Sequence, residues 1–165
     1  MTRDSDWPHD RECLYDRNWI AARIPHQGDM CLLDGVVAWS AERVHCRASS
    51  HRHKTNPLRH RDRLGALCAI EYAAQAMAVH AALVASVSCA VNGAARPQAG
   101  YLTSARAVEL RVGRLDDIAA DLDIEVERLS GDELSVLYRF SISAEKQLIA
   151  NGRAAVVLDA VTVMR

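Results

Sequence analysis

The chain has 165 residues, half of them apolar and a quarter charged, with a formal net charge of −1. That length and balance describe one globular domain with a real core, and a charge so near zero argues against a nucleic-acid partner or an anionic membrane surface. The five cysteines, Cys13, Cys31, Cys46, Cys68 and Cys89, are odd in number and form no C-x-x-C pair, so neither a zinc site nor a disulfide framework is indicated and reduced thiols in the cytoplasm are expected.

Residues 1–18 are polar with scattered aromatics, Trp7 and Tyr15, and read as a loose arm preceding a single domain over 19–165. The opening MTRDSDWPHDRECLYD carries charges of both signs and no apolar run, which is not a secretory signal. In Ile24-Pro25-His26-Gln27-Gly28-Asp29-Met30 the proline disfavours helix for Ile24 and Gly28-Asp29 marks a turn. Gly35 to Trp39 is strand-like, and Glu42 to Ser49 alternates Val44, Cys46 and Ala48 with Arg43, His45 and Arg47, so the two form a hairpin with His45 on its wet face. His51 to Arg63, HRHKTNPLRHRDR, is a basic loop with three histidines and the breaker Asn56-Pro57.

Leu64 to about Val87, LGALCAIEYAAQAMAVHAALVASV, repeats its apolar residues at helical spacing through Leu67, Ile70, Ala74, Met77, Ala81 and Val84. A helix apolar nearly all round is one wrapped by other structure. A membrane span is the rival reading, but Glu71, Gln75 and His80 fall inside it, and an acid mid-span costs roughly 2.5 to 3.5 kcal/mol. Glu71 and Gln75, one turn apart, share a face, and a carboxyl stripped of water among Ala, Leu and Met suits a proton donor. His80 reads as a satisfied core or dimer-contact histidine.

After Asn92-Gly93 and Arg96-Pro97, a surface connection, four segments alternate: Arg106 to Val112, Asp121 to Glu127, Glu133 to Ser143 and Gln147 to Asp159. Each has one wet and one apolar face, the pattern of an antiparallel sheet. A hairpin, a long apolar helix and a four-strand meander predict an α+β fold in which a curved antiparallel sheet wraps a long central helix, the hot-dog arrangement.

The motifs carry a resemblance. Ile24-Pro25-His26 through Leu32-Leu33-Asp34 resembles the opening of the 3-hydroxyacyl-acyl-carrier-protein dehydratases, and Ile70-Glu71-Tyr72-Ala73-Ala74-Gln75-Ala76 resembles the helix motif that holds their catalytic acid. PHQGDMCLLD, SSHRHKTNPLR and IEYAAQAMAVHAAL together are most similar to the dehydratase-like proteins of aryl-polyene and xanthomonadin-type pigment clusters. The resemblance implies dehydration of a 3-hydroxyacyl thioester borne on acyl carrier protein, with no cofactor beyond the carrier's phosphopantetheine and no metal. It implies Glu71 as acid, Gln75 orienting it, and a histidine from the other subunit of a homodimer or heterodimer of hot-dog chains. The family's G-H-F-P-G is missing, and its histidine offset lands on Pro57. His51 is therefore the first candidate, with His53 and His60 as spares, while the family pattern makes His26 a structural hydrogen-bonding residue.

Such chemistry needs a base at C2, an acid for the departing hydroxyl and a site for negative charge on the thioester oxygen. Gly65 and Ala66 at the helix N-terminus are the expected oxyanion site. Arg52, Arg59 and Arg61 are expected at the carrier's phosphate, an acyl tunnel is expected between helix and sheet, and a solvated basic loop is the plain alternative. A thioesterase that uses Glu71 to activate water, and a weakly active partner subunit of another hot-dog dehydratase, are the other function classes open to this sequence.

Overall fold

The computed structural model describes residues 12–92, 100–132 and 134–158. Trp7, the connection with Gly93 and Pro97, Glu133 and Asp159 lie outside the described residues. A short strand, β1 (Tyr15–Asp16), runs straight into helix α1 (Arg17–Ala21). The carboxylate of Asp16 accepts the Trp19 N–H at 2.9 Å, satisfying one of the donors a helix start leaves unpaired. Because β1 pairs with β2 (Gly35–Trp39), the chain joins the sheet from Tyr15 onward, and the expected arm is shorter than 18 residues.

The hairpin of β2 and β3 (Arg43–Ala48) forms as expected, Trp39 opposite Val44. The long helix α2 (Ala69–Asn92) is entered through a 3-10 turn, Ala66–Cys68. The remaining strands are β4 (Gly100–Leu110), β5 (Leu122–Gly131), β6 (Ser135–Ala144) and β7 (Gln147–Leu158). Among the described residues the strands make one antiparallel sheet in the order β1-β2-β3-β5-β6-β7-β4.

That order corrects the four-strand meander. β5, β6 and β7 follow one another across tight turns, but β4 pairs with the far side of β7, Leu110 opposite Ala150, and β5 pairs with β3, Val126 opposite Val44. The cause is the irregular stretch 111–121. Its Leu115 N–H donates to Leu64 O at 2.8 Å, which ties the crossing to the start of α2 and frees β5 to reach β3. As an edge strand β4 has no buried face: Leu110 is 40% exposed and Leu102 41%.

α2 closes the core. Tyr72, Ala73, Ala76, Met77, Val79 and Leu83 belong to one buried cluster with Val44, Cys46, Ile124, Val126, Phe140 and Ile142. The segment Ala66–Ser88 is long and apolar enough to cross a bilayer, yet more than half of it is buried in the fold, so its greasiness is that of a core helix. His45 departs from the wet face expected for it. It is 1% exposed and its Nε2 lies 2.8 Å from Asp123 Oδ1, because β3 is an inner strand and its imidazole meets a carboxylate from β5.

Candidate active site

Three side chains meet at the start of α2. Glu71 Oε1 lies 3.0 Å from His26 Nε2 and accepts a hydrogen bond from Gln75 Nε2 at 3.0 Å. Gln75 is wholly buried, and its other two hydrogen bonds go to the segment that bears His26: Nε2 donates to Met30 O at 2.7 Å and Oε1 accepts the Leu32 N–H at 2.9 Å. One amide therefore fixes both the carboxyl and the turn opposite it. A buried amide with both donors and its oxygen engaged is held in one orientation.

The turn itself is set by local chemistry. Pro25 keeps Ile24 out of helix, and Gly28 takes φ +56°, where a Cβ would be strained. Gln27 Nε2 donates to Ala21 O at 2.6 Å, and Arg17 donates to Gly28 O at 2.9 Å. His26 is thus presented by a braced turn, its Nδ1 shielded from solvent with no hydrogen-bond partner among the described residues. Its side chain is 27% exposed and that of Glu71 32%. Glu71 keeps about a third of its surface, so the stripping of water expected for it is partial.

Both groups open onto a cavity of about 440 Å³. Residues 21–27 and Glu71 line one end. Met77, Ala81, Ala82, Tyr138, Val156 and the start of β4 at Gly100–Leu102 line the other. The cavity lies along one face of α2, between that helix and residues of β4, β6 and β7, with the 21–27 segment beside it.

The loop histidines are elsewhere. His51 is 0% exposed, with Nε2 3.0 Å from Ile118 O, and burial holds its imidazole below the ordinary range. Within this chain its ring is buried on Ile118 O and does not line the cavity that Glu71 opens onto. The rest of its motif is equally inward. Ser50 Oγ donates to Leu32 O at 2.7 Å, and Tyr72 Oη lies 2.8 Å from Ser50 Oγ and accepts from Asn56 Nδ2 at 3.0 Å. Burial pushes the Tyr72 phenol up to about 12. This knot fastens the loop to α2. His53 and His60 are exposed and touch no part of the His26–Glu71 pair.

Of the expected oxyanion donors, the one on Ala66 is otherwise engaged. Gly65 bridges to Arg114, and the Ala66 N–H already donates to Gly113 O at 3.2 Å. Neither residue lines the cavity. Of the three arginines, Arg52 binds Asp121 at 2.7 Å and Ala119 O at 2.9 Å, and Arg59 binds Asp116 at 3.3 Å. Asp116 is the local hub: the Arg114 guanidinium holds its carboxyl well below the usual range, and it accepts the Leu64 N–H at 3.0 Å. Arg61 is exposed at a left-handed turn, φ 49°. The cation beside the cavity is Arg23, seated 4.1 Å over the Trp19 ring.

His80 is a satisfied core residue. Its Nε2 lies 3.1 Å from Ser40 O, a pure acceptor, so that nitrogen carries the hydrogen and Nδ1 accepts from Tyr138 Oη at 3.0 Å. Among the described residues no group of three or more His, Cys, Asp or Glu side chains could hold a metal ion.

Known proteins resemble this chain in sequence or fold. The ApeP-like family model, described as ApeP dehydratase, matches residues 19–163. No curated protein matches. The solved dehydratase heterocomplex ApeI:P from Xenorhabdus doucetiae is similar at TM-score 0.72 and 26% identity, over 86% of this chain and 91% of that one. Zebra fish thioesterase superfamily member 2 is similar at TM-score 0.56 and 12% identity, over 87% and 95% of the two chains. A thioesterase from Haemophilus influenzae follows at TM-score 0.54 and 6% identity, over 77% and 78%. At such identities the thioesterases show the shared hot-dog fold alone.

Proposed function

This chain belongs to the ApeP-like family of hot-dog dehydratases, and from that premise we propose that it removes water from a 3-hydroxyacyl thioester held on a carrier protein, with His26 and Glu71 as the proton-transfer pair. The 3.0 Å contact between them at the end of an apolar cavity carries the reading. Neutral His26 takes the C2 proton, acidic because it lies next to the thioester carbonyl. The C2–H electron pair becomes the C2=C3 bond, the C3–O bond breaks, and Glu71 gives its proton to the departing hydroxyl, so that an enoyl thioester and water leave.

The step ends with imidazolium beside carboxylate, and the same contact then returns the proton from His26 to Glu71. The pair starts and finishes with one proton between them. Gln75 keeps the carboxyl aimed throughout, and an acyl chain finds hydrocarbon along α2. Arg23, stacked on Trp19 at the entrance, offers an acidic carrier a charge to approach.

The pair belongs to one chain, in contrast to the site shared between subunits that the resemblance implies. One similar solved structure is the dehydratase heterocomplex ApeI:P, and a second hot-dog chain is accordingly the partner this reading expects. That partner would then support the fold while His26 and Glu71 do the proton transfers.

The test is incubation of the purified protein, alone and with a hot-dog partner, with a 3-hydroxyacyl carrier-protein thioester, the product followed by mass. Loss of one water in the wild type and its disappearance in both E71Q and H26A are the expected results. Free acid as product would make the protein a thioesterase. Activity that needs the partner and ignores both substitutions would make it a scaffold.

A further inference from the structure

The cavity does more than receive a thioester. From Glu71 its floor is Ala74, Ala78, Ala81 and Ala82, residues of one face of α2. Ala74, Ala78 and Ala81 are half-buried in a helix whose other core positions are sealed, which marks the face the cavity leaves open. At the usual helical rise, Ala74, Ala78 and Ala82 stand about 5 Å, about 11 Å and about 17 Å beyond Glu71. The walls are apolar and rigid at the far end. Tyr138 is tied to His80, itself tied to Ser40 O, and Leu102 is opposite Val156 in the ladder.

We propose that this cavity is a ruler for long, extended acyl chains, with Ala74 and Ala78 setting how far the chain can reach from the reacting carbons. The inference rests on the dehydratase reading of the same site. Carbon–carbon bonds of about 1.5 Å advance an extended chain a little over an ångström per carbon. The floor therefore holds about a dozen carbons past the reacting pair, far more than a short substrate fills. A leucine at position 78 would block the chain after about eight carbons and one at position 74 after about three, by the same spacing.

The experiment measures two things on the protein with its partner. Affinity for unreactive acyl-pantetheine amides of increasing length is read by calorimetry, and kcat/KM is read for the matching 3-hydroxyacyl thioesters. In the wild type, affinity should rise severalfold for each added methylene up to about twelve carbons, since each is withdrawn from water. Counted past the reacting pair in the same way, the rise should stop at about eight carbons in A78L and at about three in A74L, and the long-to-short ratio of kcat/KM should fall at least tenfold. If A78L does not fold, A78V supplies the same comparison with a smaller intrusion. Affinity indifferent to chain length in the wild type, or an equal loss at every length in the variants, would overturn the ruler. E71Q separates the two readings: it should abolish turnover yet keep the length-dependent affinity, so a failure of the chemistry leaves the binding result standing and the reverse.

Discussion

The loop 49–63 and the turn 24–33 each offer histidine beside a family-like motif, and they have opposite fates. The loop turns its motif inward: Ser50, His51 and Asn56 are all buried and spend their hydrogen bonds on Leu32, Ile118 and Tyr72. The turn holds His26 at a cavity, 3.0 Å from a carboxyl. A distinctive motif can thus be specific for structural reasons. What separates the two is where the imidazole finds its partner: a backbone carbonyl inside the chain, or an acid on an accessible surface.

The sharpest way to break this contrast is to remove its centre. E71Q keeps the shape and the bond from Gln75 but cannot supply a proton, so dehydration should fall by about 10²- to 10⁴-fold, the usual worth of a general acid or base. H26A should fall by a similar factor at unchanged melting temperature. His51→Ala should do the reverse. It leaves Ile118 O without its partner, costing about 1–3 kcal/mol of stability, while turnover per folded molecule stays within a few-fold. Equal losses of turnover in H26A and H51A would erase the distinction.

Gln75→Ala tests the junction between the regions. It strands the Leu32 N–H and Met30 O, so a stability loss of about 1–3 kcal/mol for each buried group left unmade sets the scale, accompanied by slower turnover as the His26 turn loosens. Chemical denaturation and kinetics on one sample would show both.

The buried histidines also set a pH response. Burial lowers the folded values of His51 and His80 below the ordinary 6.5. As pH falls through 6.5 the unfolded chain takes up protons there first, so stability should be complete above that value and decline toward and through the lowered folded values. Denaturant midpoints across this window should show the decline, and His51→Gln should flatten part of it. The smallest effect expected is Arg52→Ala. Its ion pair with Asp121 is partly open to water and should contribute only about 0.2–1 kcal/mol.

Much of this was legible in the residues. Alanine, leucine and methionine spaced for a helix announced α2, and an acid followed one turn later by an amide announced Glu71 and Gln75. Alternation announced the strands, but not that β4 would cross to β7, because strand order depends on contacts between distant segments. His26 stayed hidden because an irregular turn has no periodicity to read. The signal available was its company: a proline before it, which fixes backbone, and a glycine two residues after, which admits the left-handed turn. The loop's three histidines stand out by number, while burial, which no spacing reveals, commits His51 to Ile118 O.

Gln75 has a final consequence. Two of its three hydrogen bonds join residues more than forty positions away to the helix that bears the acid, and the third holds the acid itself, so the reactive centre comes into being only when the tertiary structure does. A partly denatured molecule in which α2 survives but the 24–33 strap has detached would possess the carboxyl and lack its mate. Warming the protein should then extinguish catalysis no later than the global transition, leaving no window in which a loosened molecule still turns over.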